Sequence, residues 1–305
     1  MKPVVTNPAE LRSNNSAPPI STYGHRLLAE GDSWFTLGSL NLLQNSNLLF
    51  ELEVATSTVI VNCAYPGDTL SRMVDGINDP DFDRMLRKRN FASYWEAVIV
   101  SAGGNDLIDA AQLPVRDNLG QPTPLDHRLL LTSDEAVADN TRSTGPPGYV
   151  SDAGWLRLEG FLLANFRALV SRRDEGPSSG RPLLLHTYSV PTVWHVGTVG
   201  ASRGWLFPAF ERAGIPAPDR QGVADELFGR LRRLLLSLDA ASGHSNALPA
   251  VRVFDSATVV ALQAPDPSSS GPSGDWVNEI HPNRAGYAKL GEAMGPWLER
   301  VIDAA

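Results

Sequence analysis

Short apolar runs alternate with longer amphipathic segments along most of this chain, and this alternation restricts the possible fold more than any other feature. Each run consists mainly of Val, Ile or Leu, as expected for strands of a parallel sheet that is covered on both faces. The predicted strands are residues 26–30, 58–64, 97–102, 183–189 and 251–255. Because strands that alternate with helices build parallel sheets with right-handed crossovers, the sequence predicts an α/β fold around a central parallel sheet of about five strands.

Three long segments have the periodicity of amphipathic helices. Apolar side chains recur at three- and four-residue steps in residues 151–173 and 221–241, and again after Pro282. Two irregular stretches, 109–150 and 192–220, follow predicted strands and therefore emerge at the carboxyl edge of the sheet, where such folds bind ligands. They are either insertions that shape a substrate groove or loops that pack on the core.

The first 23 residues differ in composition from the rest of the chain. Residues 1–23 are rich in Pro, Ser and Asn, and we expect a flexible N-terminal arm there, or one draped over the surface, followed by a single domain over residues 24–305. The arm has no apolar core of the kind found in secretory signals. Cys63 is the only cysteine, which excludes an intrachain disulfide and is typical of a reducing compartment. The sequence therefore predicts a cytoplasmic protein.

The charge, the apolar stretches and the histidine positions of the chain argue against several kinds of partner. Its 305 residues carry a formal net charge of −8 without a basic stripe that would neutralise phosphates, so no nucleic acid partner is expected. No apolar stretch reaches the length of a membrane span. The six histidines show no metal-ligand spacing, and neither a metal nor a cofactor is expected. The sequence leaves the oligomeric state open.

Ser33 stands at the first predicted strand-to-helix turn, in the tripeptide Gly31-Asp32-Ser33. Such a turn exposes the hydroxyl and points the backbone N–H in the direction of the helix N-terminus, so Ser33 can attack a carbonyl and help hold the oxyanion. The tripeptide alone is a weak signal, because a serine after a tight glycine turn is also a common helix N-cap. Asp32 is expected to pin the turn through local hydrogen bonds.

Three further residues complete a set for acyl transfer. Gly67 follows the second predicted strand, and its backbone can turn with the N–H directed outward. Asn105 follows the third strand and offers a neutral amide donor to an oxyanion. His281 precedes Pro282 and a helix and can serve as a base. Because the carboxyl ends of parallel strands meet at one edge of the sheet, we expect these residues to lie beside Ser33.

Three ring-bearing side chains are candidates for substrate binding. Trp34 is either a wall of an acyl pocket or a core anchor at the start of a helix. His186, on the fourth predicted strand, either lines the same groove or is a buried core histidine. Trp194 lies in the irregular stretch 192–220 and offers a ring on which a sugar or an acyl chain can pack.

In these blocks the chain resembles the GDSL/SGNH hydrolase superfamily, which is named for a serine, a glycine, an asparagine and a histidine. The resemblance extends over about residues 25–300 and is carried by Gly31-Asp32-Ser33, Gly67, Gly103-Gly104-Asn105-Asp106 and His281-Pro282. It implies a three-layer α/β/α flavodoxin-like fold and hydrolysis of carboxylic esters without a cofactor. It also implies that Ser33 is the nucleophile and His281 the base, with an oxyanion hole made by the Ser33 and Gly67 N–H groups and the Asn105 side chain.

The chain departs from the family pattern at one position. Where the family usually has an aspartate three residues before the histidine, this chain has Asn278. The aspartate of a catalytic triad fixes the imidazole tautomer and stabilises the imidazolium, and an amide can do only the first. Four arrangements stay open: His281 is oriented by Asn278 through its side chain or carbonyl, by Asp275, by Glu279, or by no residue at all.

The sequence therefore predicts a serine hydrolase of the esterase or lipase type, which cleaves a small-molecule ester or acylated substrate through an acyl-enzyme. Two alternatives remain. A carbohydrate O-acetyl esterase would use the aromatic residues of 192–220 to stack sugars. A catalytically weakened member of the family would bind a ligand instead, which the absence of the aspartate would explain.

Overall fold

The computed structural model describes residues 1–12, 19–36, 46–88, 93–138, 145–198 and 203–305. Within these residues, strands form one parallel sheet: β1 (Val4–Thr6), β2 (His25–Gly31), β3 (Thr58–Asn62), β4 (Ala97–Ser101), β5 (Leu183–His186) and β6 (Val251–Phe254). Their order across the sheet is β1-β3-β2-β4-β5-β6. Strands β2 to β6 confirm the five predicted strands, and their ends differ from the predicted ends by only a few residues.

Helices cover both faces of the sheet. They are α1 (Pro8–Arg12), α2 (Leu48–Glu51), α3 (Leu70–Met73), α4 (Pro80–Arg87), α5 (Gly104–Gln112), α6 (Ser133–Ala138), α7 (Asp152–Asp174), α8 (Leu206–Arg212), α9 (Arg220–Ser237), α10 (Ser256–Val259) and α11 (Arg284–Asp303). Helices α7, α9 and α11 confirm the three predicted amphipathic helices. In one group α2 packs against α11, and in another α5 packs against α7, α8 and α9. Among the described residues, no helix combines the length and apolarity that a membrane crossing requires.

Burial of the central strands on both faces explains their sequences. Every residue of β4 is buried, and its run Ala-Val-Ile-Val-Ser carries almost no polar group for solvent. Strand β2 lies between β3 and β4 and pairs with both in parallel. Such a strand reads as a continuous apolar run instead of an alternating one. This is the pattern that made the strands recognisable in the sequence.

The order of the strands places a binding crevice at the carboxyl ends of β2 and β4. From β2 the chain crosses to β3 on one side and then to β4 on the other. Apart from β1, the order matches the flavodoxin-like arrangement, in which ligands bind where the direction of winding reverses. The fold is therefore the three-layer α/β/α type that the resemblance implies, with a six-stranded sheet in place of the predicted five.

The additional strand comes from the predicted N-terminal arm. Strand β1 pairs in parallel with β3 at the edge of the sheet, from Val4 opposite Val59 to Thr6 opposite Val61. The prediction of a flexible arm is therefore wrong for these residues. Three residues are too short a run to be recognised as a strand among prolines and polar residues. The arm's residues 13–18 lie outside the described part of the chain.

The irregular stretches 109–150 and 192–220 differ in their relation to the crevice. Leu129, Leu130 and Leu131 of the first stretch are buried, and Leu129 and Leu130 pack on the core, whereas residues 116–122 are exposed. The second stretch contains α8 and sends the ring of Trp205 to the candidate site described below. Residues 139–144 and 199–202 of the two stretches lie outside the described residues.

Candidate active site

Ser33 follows the carboxyl end of β2, where the backbone makes a close approach to β4. Gly31 lies opposite Ser101 in the sheet, and a Cβ atom at position 31 would stand 2.8 Å from the Ser101 Cβ. Only a glycine fits there without a shift of the backbone. The Asp32 N–H then donates to the Ser101 carbonyl over 3.1 Å, and the chain turns away from the sheet at Ser33.

Asp32 pins this turn, as the sequence predicts. Its Oδ1 accepts hydrogen bonds from the Trp34 N–H at 2.9 Å and from the Ser101 hydroxyl at 2.8 Å. Its Oδ2 accepts from the Tyr188 hydroxyl at 2.5 Å. Burial raises the pKa of Asp32 to about 6. The carboxyl group holds the turn in place through neighbours from β4 and the segment after β5.

Ser33 and His281 meet at hydrogen-bond distance, although 248 positions separate them in the chain. The Ser33 Oγ lies 2.7 Å from the His281 Nε2. Burial lowers the pKa of His281 to about 4, so the imidazole is neutral at neutral pH. A neutral imidazole that has its proton on Nδ1 presents a lone pair on Nε2 to the serine hydroxyl.

Asn278 fixes this tautomer. Its Oδ1 lies 2.9 Å from the His281 Nδ1 and also accepts the backbone N–H groups of Ile280 at 3.2 Å and His281 at 3.0 Å. Since two backbone donors point at this atom, it is the carbonyl oxygen of the amide and not the nitrogen. The Nδ1 of His281 must therefore carry the hydrogen that it donates to Asn278.

The other two candidates for orienting His281 lie elsewhere. The Asp275 carboxylate accepts the Lys289 ammonium at 2.6 Å and the Gln263 N–H at 2.5 Å, so it is paired at the start of α11. Glu279 points into the segment that precedes α8. Of the arrangements left open by the sequence, the structure therefore contains the one in which the side chain of Asn278 orients His281.

Glu279 binds four backbone N–H groups, two from this segment and two from the first turn of α8. Its Oε1 accepts from Trp194 at 3.2 Å and Phe207 at 2.8 Å, and its Oε2 accepts from Trp205 and from Leu206 at 2.8 Å. Burial raises the pKa of Glu279 to about 7 against the opposite effect of these donors. The Trp205 ring lies edge-on to the His281 imidazole with centroids 5.5 Å apart. One buried carboxylate thus holds the segment whose aromatic ring covers the candidate base.

Asn105, in the first turn of α5, is hydrogen-bonded to the loop that carries Gly67. The Asn105 Nδ2 donates to the Asp68 carbonyl at 2.8 Å. Gly67 lies in the turn that the Asp68 N–H closes onto the Tyr65 carbonyl at 3.3 Å, with φ of 76°. A positive φ after Pro66 fits a type II turn, in which glycine is favoured at this place. Gly67 is exposed at the tip of its loop.

A pocket with an empty volume of about 300 Å³ opens beside Ser33. Polar atoms from Ser33, Asn105 and Ser189 line it together with apolar side chains. The apolar lining is formed by Trp34, Ile108, Tyr188, Pro191, Phe228 and Ile280. Ser33 and Asn105 thus face one space, and Gly67 is not among the residues that line it.

Of the three predicted substrate-binding residues, only Trp34 lines this pocket. Trp34 is also a core anchor, because its ring stacks on His186 with centroids 5.4 Å apart and its Nε1 donates to the Ile280 carbonyl at 3.2 Å. His186 is fully buried behind it, with Nε2 3.0 Å from the Ser101 hydroxyl. Trp194 is buried as well and donates to the Ser269 carbonyl at 2.9 Å. Neither His186 nor Trp194 lines the pocket beside Ser33, and His186 has the position of a core histidine, which is the other role the sequence left open.

Sequence comparisons do not place this chain in a family. No protein-family model matches it, and no curated protein matches it.

Several solved structures are similar to the chain at low sequence identity. A lipase from a goat rumen metagenome has a TM-score of 0.48 and 16% identity, over 91% of this chain and 97% of the lipase. A phospholipase A1 from Streptomyces albidoflavus has a TM-score of 0.46 and 15% identity, over 90% of this chain and 98% of the phospholipase. An acetylxylan esterase from Geobacillus stearothermophilus has a TM-score of 0.38 and 14% identity, over 92% and 94% of the two chains. These values are too low for the neighbours to assign a function, so the proposals below depend on the geometry of this site.

Proposed function

We propose that this chain is a serine hydrolase of the GDSL/SGNH type that cleaves carboxylic esters through an acyl-enzyme. The observation that carries the proposal is the hydrogen-bonded series from the Ser33 Oγ to the His281 Nε2 at 2.7 Å and from the His281 Nδ1 to the Asn278 Oδ1 at 2.9 Å. A nucleophile and a base within hydrogen-bond distance, with the base oriented by a third group, are the requirements of nucleophilic catalysis.

In the first half of the reaction, the Ser33 Oγ attacks the ester carbonyl carbon while the His281 Nε2 takes the hydroxyl proton. The C–O bond to Ser33 forms, and the carbonyl electrons move onto an oxyanion. Donors for this oxyanion are the Asn105 amide and the backbone N–H of Ser33, since both residues line the pocket. The Gly67 N–H, which the family resemblance adds as a third donor, lies in the neighbouring loop and does not line the pocket. Collapse of the tetrahedral intermediate expels the alcohol, which receives the proton from Nε2.

In the second half of the reaction, a water molecule enters the site that the alcohol has left and attacks the acyl-enzyme. His281 Nε2 takes a proton from the water as its oxygen attacks the acyl carbon. The bond between the acyl carbon and the Ser33 Oγ then breaks, and Oγ recovers the proton from His281. The free acid leaves, and Ser33 and His281 are returned to their initial states. No step requires a redox or group-transfer cofactor.

The lining of the pocket favours short acyl groups. Trp34, Ile108 and Phe228 border an apolar space next to Ser33, and Tyr188, Pro191 and Ile280 complete its apolar lining. We expect the hydrolysis of p-nitrophenyl acetate and butyrate to exceed that of the dodecanoate in kcat/KM. A preference for the long chain would contradict a short-acyl esterase.

A carbohydrate O-acetyl esterase has weaker support. The alternative depended on Trp194 and Trp205 for sugar stacking, and Trp194 is buried and hydrogen-bonded to the Ser269 carbonyl. Of the two, only Trp205, which is half-buried beside His281, is left for this role. Release of acetate from acetylated xylan, compared with p-nitrophenyl acetate at equal acetyl concentration, tests it directly.

A fluorophosphonate probe tests the proposed nucleophile. The wild-type protein should be labelled on the peptide that contains Ser33, and Ser33→Ala should abolish both labelling and ester hydrolysis. Ser189→Ala is a matched control, since Ser189 lines the same pocket and its buried hydroxyl has no hydrogen-bond partner among the described residues. Wild-type protein that is folded but not labelled at Ser33 would favour a ligand-binding protein over an enzyme.

A further inference from the structure

Three buried carboxylates from separate elements meet beside the loop that carries Gly67. Glu30 belongs to β2, Asp68 follows Gly67, and Asp79 is the N-cap of α4. One carboxylate oxygen from each lies within 4.8 Å of the others, and the three residues are 0%, 5% and 3% exposed. The absence of metal-ligand spacing in the sequence did not exclude such a cluster, because its members come from distant positions.

Two of these carboxylates each have an oxygen that receives no hydrogen bond from a donor outside the cluster. Glu30 Oε1 accepts the Gly31 N–H at 2.7 Å, and Asp79 Oδ1 accepts the Phe82 N–H at 3.1 Å. Glu30 Oε2 and Asp79 Oδ2 are buried without a donor among the described residues. Each side chain is thus anchored to the backbone through one oxygen, which leaves the other for a ligand. The Glu30 and Asp79 side chains can hydrogen-bond to each other only when one of them holds a proton.

The charge of the cluster is not balanced by protein cations. Arg72 Nε lies 3.2 Å from the Asp68 Oδ1, and its side chain is 61% exposed. In the described part of the chain, Glu30 and Asp79 take part in no ion pair. A buried carboxylate without a counter-charge is costly, so the cluster needs either a bound cation or shared protons.

We propose that Glu30, Asp68 and Asp79 bind a calcium ion. Hard divalent cations prefer carboxylate oxygens, and calcium binds them at about 2.3–2.6 Å, so two ligands of one calcium ion lie up to about 5 Å apart. The carboxylate oxygens of the cluster all lie within this reach of one another. Calcium accepts about six to eight oxygen ligands in a flexible geometry, whereas magnesium demands near-ideal octahedral geometry and gives up its waters reluctantly. We therefore expect these three fixed carboxylates to bind calcium more tightly than magnesium.

The ion would connect three elements around the candidate site. Glu30 lies three positions before Ser33, and the Asp68 carbonyl accepts the Asn105 amide at 2.8 Å. A cation held by Glu30, Asp68 and Asp79 would fix the loop of Gly67 to β2 and to the start of α4. Binding of the ion does not depend on the proposed esterase function.

Calorimetric titration of the metal-stripped full-length protein with CaCl₂ and MgCl₂ at neutral pH tests the proposal. We expect one calcium per chain and a higher melting temperature with calcium. Asp79→Asn keeps the cap of α4, since asparagine is an equally good N-cap, and removes one negative charge. It should weaken calcium affinity at least about tenfold, because affinity follows the number of charged ligands. Asp81→Asn, on the first turn of the same helix, should leave the affinity unchanged.

Glu30→Gln is the second variant, with the same expected loss of affinity. If either variant fails to fold, the other decides the result. Wild-type protein that shows neither binding heat nor a change in melting temperature up to about 10 mM CaCl₂, beyond the weakest usual calcium sites, would overturn the proposal and assign the cluster to shared protons. Calcium binding that both variants retain at wild-type affinity would place the ion elsewhere and also overturn it.

Discussion

The neutral amide of Asn278 occupies the place at His281 where the family that this chain resembles usually has a carboxylate. Its Oδ1 accepts the Nδ1–H and two backbone N–H groups, so the amide orients the imidazole as firmly as an acid would. It supplies no negative charge when the imidazole becomes protonated. Orientation and charge stabilisation, which a triad aspartate combines, are therefore separated in this chain.

A change of Asn278 to aspartate should restore the missing charge. All three donors point at Oδ1, so a carboxylate can accept the same hydrogen bonds without repacking. We expect Asn278→Asp to raise kcat on p-nitrophenyl acetate about tenfold or more, because the charge stabilises the imidazolium of the transition state. Asn278→Ala, which also removes the orientation, should lower kcat on the order of a hundredfold. A lower kcat in Asn278→Asp than in the wild type would contradict this account.

The acidity of His281 predicts an unusual pH profile. Burial lowers the pKa of His281 to about 4 from the ordinary value near 6.5. Because the base must be neutral, kcat/KM should show its last fall with a midpoint near 4, where His281 is protonated. This midpoint lies below the pKa values of about 6 for Asp32 and about 7 for Glu279, which also act on the site. Complete loss of activity by about pH 5 would contradict the assignment of His281 as a buried base.

A loss of activity caused by acid unfolding must be distinguished from one caused by protonation of His281. With its pKa lowered in the folded state, His281 contributes stability that is complete above about 6.5 and is lost as the pH falls through 4. The melting temperature is therefore measured at every pH of the profile. The kinetic midpoint is taken only where the protein is folded.

At the scale of the element, Glu279 connects the last loop of the chain to the segment before α8. Four backbone N–H groups from Trp194 to Phe207 converge on one buried carboxylate, and Trp205 from the same segment lies against His281. The sequence offered Glu279 only as an orienter of His281, because its partners lie more than seventy positions away. Local spacing cannot show such contacts.

Replacement of Glu279 by glutamine tests this connection. The amide nitrogen cannot accept, so at least one of the oxygen positions loses its acceptor and buried N–H groups are left unsatisfied. Glu279→Gln should lower the free energy of unfolding by about 1–3 kcal/mol and raise KM as Trp205 moves. Chemical denaturation and steady-state kinetics measure the two effects. Glu292→Gln, on an exposed position of α11, is the control and should change neither.

At the scale of the whole molecule, the sequence predicts what local patterns determine. Strands β2 to β6 and the long helices were recognisable from apolar runs and periodicity, and Ser33, Asn105 and His281 from their places after strands or before a helix. The residue that orients His281 could not be predicted from the sequence. Asp275, Asn278 and Glu279 are close together in the chain, and only the conformation of their loop decides which of them reaches the imidazole. The carboxylate cluster was missed because Glu30 and Asp79 come from different elements.

The edge strand β1 leads to a prediction for the molecule as a whole. Residues Val4–Thr6 pair with β3, the Met1 ammonium donates to the Val54 carbonyl at 2.6 Å, and Lys2 donates to the Glu51 carboxylate at 3.0 Å. Deletion of residues 1–12 should lower the free energy of unfolding by about 2–4 kcal/mol, since each lost hydrogen bond contributes about 0.5–1.5 kcal/mol. Urea denaturation of the truncated and full-length chains measures the loss.

The deletion of residues 1–12 should lower the stability of the protein and leave its esterase activity almost unchanged. Strand β3 lies between β1 and β2, so the edge strand is remote from Ser33, and distant sites contribute independently. We expect kcat/KM of the folded truncated protein to stay within about twofold of the full chain. Lys2→Ala is a milder control, because it removes the contact with Glu51 and keeps β1. Unchanged stability after the deletion would mean that the first residues behave as a flexible arm and that the sheet does not need its sixth strand.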